Sequence, residues 1–408
     1  MSKIKTITLG CRFNYYESEV EKAMLNSLDL SEDVVIVNTC AVTHEAERQS
    51  KQAVRKAIRE NSGAKIIVTG CAAKTASEYF NNLTGVFKVI QNDEKTSFNE
   101  SFTPEENDQL FKNRARVFLQ IQNGCNHFCT YCIVPFTRGR SKSLTLETIM
   151  QRIRYFDNQG FKEIVLSGID ITSYGEDFDG NLELADVIEA ILQNFPKQKR
   201  IRISSIDPKE INDRLFNLFA YEERIMPHFH LSIQSGDNDV LKAMRRRHSR
   251  EDVINFCNKL KNIRKDVVFG ADFIAGFPTE TEEMFNNTLR LIDDAGLSLM
   301  HVFPFSPRTG TVASNMIQLP KSTILNRAKI LRAKADGAKH KLFMSMNGKY
   351  LKNIIIEKHE NGISYGKTDS FIPIIIEGEY TPGGVLNDLS VLDFNDEAII
   401  LKKENKEA

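Results

Sequence analysis

Three times near its start the chain repeats one pattern, a short β-branched run that ends in a cysteine: KIKTITLGC to Cys11, DVVIVNTC to Cys40 and AKIIVTGC to Cys71. Segments between them, such as Glu45 to Glu60, carry a helical period, so the block alternates β and α and predicts a parallel sheet. In such a sheet the carboxyl ends of the strands lie along one edge, where ligands bind. Cysteines spaced 29 and 31 residues apart can therefore converge.

Residues 95 to 113 lose this pattern and turn polar, which reads as a linker. A second alternating block follows, with strands expected at Val117 to Gln122, Glu163 to Gly168, Arg200 to Ile206, His228 to Gln234, Val267 to Ile274 and Leu297 to Phe303. Six β/α units suit a partial barrel, since a closed eight-unit barrel needs two more strands. Lys321 to Lys341 reads as a basic helix, with Gly337 as a candidate end. Beyond it, short strands separated by Asn-Gly and Pro-Gly-Gly turns suggest a small β-barrel. The expected fold is α/β in three domains: residues 1–110 with the parallel sheet, 111–342 with a partial (β/α)6 barrel, and 343–408 with the β-barrel.

Composition sets bounds on partners. The chain has 408 residues, 54 basic against 54 acidic, and 41% hydrophobic residues. Zero net charge gives no global pull toward nucleic acid or membrane, so a polyanion would have to be met by local patches. No apolar run approaches a membrane span, and the first strand begins at Lys3 without a signal-like stretch; a cytoplasmic location is the expectation. Seven cysteines in 408 residues are too few and scattered for a secreted disulfide scaffold. In a reducing compartment, clustered thiols point to metal.

The strongest local signal is Gly124-Cys125-Asn126-His127-Phe128-Cys129-Thr130-Tyr131-Cys132, placed just after an expected strand. Three thiols at these spacings can reach one metal centre. A zinc site would want a fourth ligand; His127 lies inside the loop, and no partner C-x2-C pair exists elsewhere. Three ligands alone suit a 4Fe-4S cluster with one iron left open to bind a cofactor. Cluster, zinc and unliganded buried thiols all stay open on the spacing alone.

This loop resembles that of the radical S-adenosylmethionine superfamily. With the upstream cysteines, the segments 124–140, 271–281 (ADFIAGFPTET) and 303–311 (FPFSPRTGT), the chain resembles the methylthiotransferases along nearly its whole length. Within them it is most similar to the bacterial branch that acts on N6-threonylcarbamoyladenosine at position 37 of tRNA. The resemblance implies that Cys125, Cys129 and Cys132 hold a 4Fe-4S cluster that binds and cleaves S-adenosylmethionine. It also implies that Cys11, Cys40 and Cys71 hold an auxiliary 4Fe-4S cluster where a sulfide is carried and methylated. Two S-adenosylmethionine molecules are then used per product, one as methyl donor and one as the source of the radical that the adenine C2–H, beyond ordinary acid-base activation, requires. The implied partners are the tRNA anticodon loop and a reductase or flavodoxin-type electron donor; the sulfur donor is not named by the sequence.

Other residues fit a cofactor pocket less specifically. Strand ends place Ser204, Gln234 and Asp272 on the carboxyl face, as S-adenosylmethionine contacts. Arg245, first of three consecutive arginines, is the candidate for the cofactor carboxylate. Many superfamily members carry a Gly-Gly-Glu segment after the second strand; Ser167-Gly168-Ile169-Asp170 stands here instead, so the amino contact is unassigned. Arg138, Arg140 and Lys142, Arg48 to Arg59, and Lys321 to Lys341 are the basic segments available to phosphate, and each is equally a solvated face. The C-terminal barrel resembles a TRAM domain, an RNA-binding module. Cys257 reads as core, His44 as a helix-start residue, and His228, His230 and His301 as core or rim residues. Alternatives are the same chemistry on isopentenyl-adenosine or a ribosomal protein, or a non-catalytic iron-sulfur RNA-binding protein.

Overall fold

The computed structural model describes residues 3–26, 32–95, 114–180 and 182–403. The expected linker and the first domain boundary lie almost wholly outside these residues.

β1 (Ile4–Thr8), β2 (Val34–Thr39), β3 (Lys65–Gly70) and β4 (Val86–Val89) form one parallel sheet in that order. Every residue of β2 is buried, as expected of a central strand covered on both faces. The helix His44–Glu60 begins where the Thr43 hydroxyl accepts from the Ala46 N–H at 3.1 Å. The helix Arg12–Asn26 has a different task. Its Tyr16, Val20 and Ala23 pack into the large core of the next unit, beside Val117 and Leu119. The first sheet is thereby joined to the barrel by the helix that follows Cys11.

β5 (Val117–Gln120) is followed by a two-residue ribbon, β6 (Gln122–Asn123) with β7 (Lys142–Ser143). β8 (Ile164–Ser167) and β9 (Ile201–Ile203) then run parallel to β5. β10 (His228–Gln234), β11 (Val268–Ala275) and β12 (Leu297–Pro304) form a second parallel triplet. A bridge between Ile206 and Leu231 joins the triplets, through Ile206 N–H to His230 O at 2.9 Å and Ser232 N–H to Ile206 O at 3.0 Å. Among the described residues β5 and β12 are not paired, so six strands make a partial barrel.

The helix Lys321–Met344 runs straight through Gly337, which does not end it. A mid-helix glycine costs only about 1 kcal/mol. Burial of Phe343 in the C-terminal core, with Ile354, Ile374 and Leu389, outweighs that cost. The last unit is a curled seven-stranded sheet, a half-barrel, ordered β13-β18-β19-β16-β15-β14-β17. Its strands are β13 (Tyr350–Leu351), β14 (Ile354–Glu360), β15 (Ile363–Lys367), β16 (Pro373–Glu377), β17 (Val385–Leu386), β18 (Leu389–Phe394) and β19 (Ile399–Lys403). β14 and β15 turn at Asn361-Gly362, both with positive φ, as the tight hairpin requires. No described helix is long and apolar enough to cross a membrane.

Cys257 is fully buried in the barrel core, as read. His44 opens its helix, and its N–H donates to the Ser306 hydroxyl at 3.0 Å, so it faces the barrel lip. His228 is buried and stacked on Phe371, whereas His230 and His301 both bond Asp272. Arg138 departs from its reading as a phosphate contact, because it is buried between the first sheet and the barrel.

Candidate functional site

Cys40 and Cys71 follow directly on β2 and β3, and Cys11 lies just past β1. The parallel sheet thus brings all three to one edge. Gly10, with φ +93°, lets the Cys11 turn lie against Cys40; a Cβ there would sit 2.8 Å from Cys40 Cβ and 2.9 Å from its Sγ. Asn14 ties the two strand ends by donating to Leu9 O at 2.8 Å and Thr39 O at 3.1 Å. Asn92 Nδ2 approaches Cys71 Sγ at 3.8 Å. Burial pushes the Cys40 thiol up to about 11. Burial also raises Cys11, against the opposing pull of the Arg138 guanidinium.

The second group sits where the chain leaves β6. Gly124, at φ +72°, could not carry a side chain, since its Cβ would fall 1.9 Å from Arg140 O. Gln122 fixes this entrance by donating to Gly124 O at 2.9 Å and accepting from the Asp170 N–H at 2.8 Å. Inside the loop Cys132 N–H donates to Cys129 O at 2.9 Å, while Thr130 is bonded to Met244 O and Ala243 O. Burial, then the neighbouring Cys129, push Cys132 up to about 12; burial and Asp170 raise Cys125.

Cys40, Cys71 and Cys129 are buried, and desolvation disfavours the thiolates of Cys11, Cys40, Cys125 and Cys132. Binding a metal supplies the compensating charge and releases the protons. The sulfur spacing bears on which kind. Among the described residues no three cysteine sulfurs lie within 4.8 Å of one another. Thiolates on one tetrahedral zinc, at about 2.3 Å each, would be roughly 3.8 Å apart. Neither cysteine set is therefore drawn together around a single zinc-sized centre; among the described residues the one group within 4.8 Å that includes a cysteine is Cys125 with His127 and Asp170. His127 is engaged by Asp170 at 2.6 Å and Glu210 at 3.0 Å, and so is positioned by carboxylates.

One cavity of about 390 Å³ is lined by Cys11 from the first sheet together with Cys125, Cys129 and Cys132. Cys11 of the first set and all three loop cysteines therefore face a shared space at the carboxyl ends of the barrel strands, with Cys40 and Cys71 buried behind Cys11. Of the residues read as cofactor contacts, Gln234 and Asp272 line it. Ser204 does not; its neighbour Ser205 does. Arg245 is exposed and points elsewhere, and the arginine in the lining is Arg246. A run of three arginines in a turn has no periodicity from which to choose among them, and the fold chooses the middle one.

Arg246 reaches Cys129 Sγ at 3.6 Å, Asp207 at 2.7 Å and Ser232 O at 2.6 Å. Burial would raise the Asp207 carboxyl, but His248 and Arg246 outweigh it and hold it well below the usual range. Asp272 is treated alike: burial opposes ionisation, and hydrogen bonds from His230 at 2.9 Å and His301 at 3.0 Å overcome it. Asp170, left without a role in the sequence, lies 3.6 Å from Cys125 Sγ and lines the cavity. Its signal was the segment standing in place of Gly-Gly-Glu.

Comparison with known proteins agrees with this arrangement. The Radical SAM superfamily profile matches residues 119–292, and that of Uncharacterized protein family UPF0004 matches residues 3–91. The threonylcarbamoyladenosine tRNA methylthiotransferase MtaB of Rickettsia prowazekii is 45% identical over 91% of this chain and 90% of its own. The Bacillus subtilis protein of the same name is 34% identical over 93% of this chain and 91% of its own. A tRNA-2-methylthio-N(6)-dimethylallyladenosine synthase of Pelagibacter ubique is 29% identical over 98% of both. Among solved structures the radical S-adenosylmethionine methyltransferase TsrM of Kitasatospora setae superposes with a TM-score of 0.52 at 13% identity, over 75% of this chain and 74% of that one.

Proposed function

The chain belongs to the threonylcarbamoyladenosine tRNA methylthiotransferase family, and on that premise we propose how its own residues divide the work. The reaction is methylthiolation of adenine C2 in N6-threonylcarbamoyladenosine at position 37 of tRNA, with S-adenosylmethionine and two 4Fe-4S clusters as cofactors. When bound, these supply the radical, the methyl group and the sulfur that protein side chains cannot.

Cys125, Cys129 and Cys132 hold one cluster, and Cys11, Cys40 and Cys71 hold the other. The observation that carries this is the single cavity lined by Cys11 and by the three loop cysteines, since one adenine carbon must be reached from both. Arg246 is the cation for the cofactor carboxylate, in place of Arg245. Asp170, Gln234 and Asp272 line the same cavity, where Asp170 would accept from the cofactor's amino group. The adenosine is in a single-stranded loop, so splaying its base into this cavity costs little. Beside the loop Arg140 and Phe136 are exposed, with Arg140 stacked on Phe128 at 4.7 Å, and they offer charge and a ring to the RNA.

The division into residues 1–110, 111–342 and 343–408, a reductase or flavodoxin-type electron donor and a cytoplasmic location complete the reading. Anaerobic reconstitution tests it: with dithionite, S-adenosylmethionine and modified tRNA the protein forms 5'-deoxyadenosine and the methylthio nucleoside. Failure to form 5'-deoxyadenosine would exclude the enzyme reading and leave a non-catalytic RNA-binding protein.

A further inference from the structure

Arg138 ends the short helix Val134–Arg138 that follows Cys132, yet its head group lies in the first unit. Nη1 donates to Glu17 at 2.8 Å and Asn123 at 3.3 Å, and Nη2 donates to Asn14 at 2.6 Å and Glu17 at 3.3 Å. The guanidinium also lies 4.4 Å over the ring of Phe13. Its side chain is 1% exposed, as is that of Glu17. Glu17 in turn accepts from Lys95 at 3.0 Å, and Lys95 from the other side meets Glu21 at 2.9 Å. The neighbouring Thr137 O accepts from Asn92 Nδ2 at 2.9 Å, the same amide nitrogen that approaches Cys71 Sγ.

A chain of buried charges is a costly way to join two units. Well-packed apolar residues of similar volume often do as well or better. The charge therefore calls for a reason beyond adhesion, and the thiols supply one. Asn14 Oδ1, which accepts from Arg138 Nη2 at 2.6 Å, lies 3.9 Å from Cys11 Sγ, so the guanidinium stands one side chain away from that thiol. Arginine cannot shed its proton, so this residue, paired with Glu17 at 2.8 Å, is a permanent cation one side chain from Cys11. Charge next to an iron-sulfur centre is one of the terms that set its reduction potential.

We propose that Arg138 is a positioning residue for the auxiliary site: from the loop that holds the first cluster it carries a fixed positive charge to the cysteines that hold the second. One side chain thereby sets both the electron affinity of the auxiliary centre and its place relative to the radical source. The inference rests on Cys11, Cys40 and Cys71 being cluster ligands. It goes beyond that assignment in naming a residue outside the ligand sets that couples the two.

The test uses the full chain, reconstituted anaerobically, with Arg138→Met and Arg138→Lys. Each is also made with Cys125, Cys129 and Cys132 changed to Ala, so that only the auxiliary centre is present. Glu17 keeps Lys95 as partner in the methionine variant; if that variant misfolds, Arg138→Gln removes the charge while its amide still reaches Asn14. Loss of a nearby cation disfavours the more negative reduced state. The potential from an EPR-monitored titration is therefore expected to move to more negative values in the neutral variants and to stay near the parent value with lysine. With the loop cysteines intact, 5'-deoxyadenosine formation is expected within about twofold of the parent while methylthio product falls about tenfold or more, as misplacement by an ångström allows. An unchanged potential and signal in a folded neutral variant, or parallel loss of both products, overturns the inference. Absence of any auxiliary cluster with Arg138 intact overturns the ligand assignment and the inference with it.

Discussion

Arg246 places one guanidinium nitrogen 3.6 Å from Cys129 Sγ and the other 2.7 Å from an Asp207 carboxylate oxygen. The side chain is thus fixed by Asp207 and Ser232 O while facing the cavity that the loop cysteines line. Arg246→Ala is expected to lower S-adenosylmethionine binding by about tenfold to a hundredfold, the range for losing one charge-assisted pair. Arg245→Ala, at an exposed position, is expected to change it less than about twofold. Equilibrium binding of S-adenosylmethionine to the reconstituted protein checks both, and a larger effect at Arg245 would contradict the assignment.

An Asp170 carboxylate oxygen lies 3.6 Å from Cys125 Sγ. Asp170→Asn keeps the shape and removes the charge that a cofactor ammonium would meet. The expected outcome is a rise of about tenfold in the KM for S-adenosylmethionine with iron content unchanged. Iron loss with unaltered KM would instead assign Asp170 to cluster assembly.

Gly124 has neither the conformation nor the space for a side chain, since Arg140 O would overlap its Cβ. Gly124→Ala is expected to disorganise only the loop cluster. Iron per chain then falls from about eight to about four, the content of one 4Fe-4S centre. Retention of about eight irons would show that the loop tolerates the change.

Glu163 is fully buried and shared by Arg116, Arg200 and Arg202. Arg200 continues to Asp369 and Arg116 to Glu357, so the barrel floor and the C-terminal sheet depend on one carboxylate. Glu163→Gln leaves buried cations uncompensated and is expected to cost about 3–5 kcal/mol in urea unfolding. A loss under about 1 kcal/mol would mean that water or the remaining acids compensate.

Glu280 differs in sign. Burial pushes its carboxyl up to about 7, and hydrogen bonding from Gly276 N–H and Arg327 only partly offsets it. A raised folded-state value means that the folded protein binds the proton more tightly than the unfolded chain. Stability attributable to Glu280 is therefore highest at low pH and declines as pH rises from about 4.5 to about 7, by up to about 3 kcal/mol. The difference between parent and Glu280→Gln, followed by urea unfolding from pH 5 to 8, isolates this slope; a flat difference would refute it.

Much of this architecture was legible because the signals were local. The strand His228–Gln234 alternates apolar Phe229, Leu231 and Ile233 with polar residues, and this period of two marks its span in the sequence. The placement of Cys11, Cys40 and Cys71 near the ends of β1, β2 and β3 follows from the β-branched runs before them. The rest depends on contacts distant in sequence. Which of Arg245 and Arg246 faces the cavity is decided by the turn after Ala243, where both residues are outside any periodic element. Arg138 looked like a surface cation because nothing in its own segment reveals that Glu17 and Asn14 receive it. Gly337 has the residue type of a helix end, but the burial of Phe343 beyond it, in a core contributed by the C-terminal sheet, carries the helix on.

The central claim is that both cysteine sets serve one methylthiolation of N6-threonylcarbamoyladenosine in tRNA. Mass spectrometry of tRNA nucleosides from a deletion strain tests it most directly. The account predicts that 2-methylthio-N6-threonylcarbamoyladenosine disappears, returns with the parent gene, and does not return with Cys11→Ala or Cys125→Ala. An unchanged level of that nucleoside in the deletion strain would contradict it.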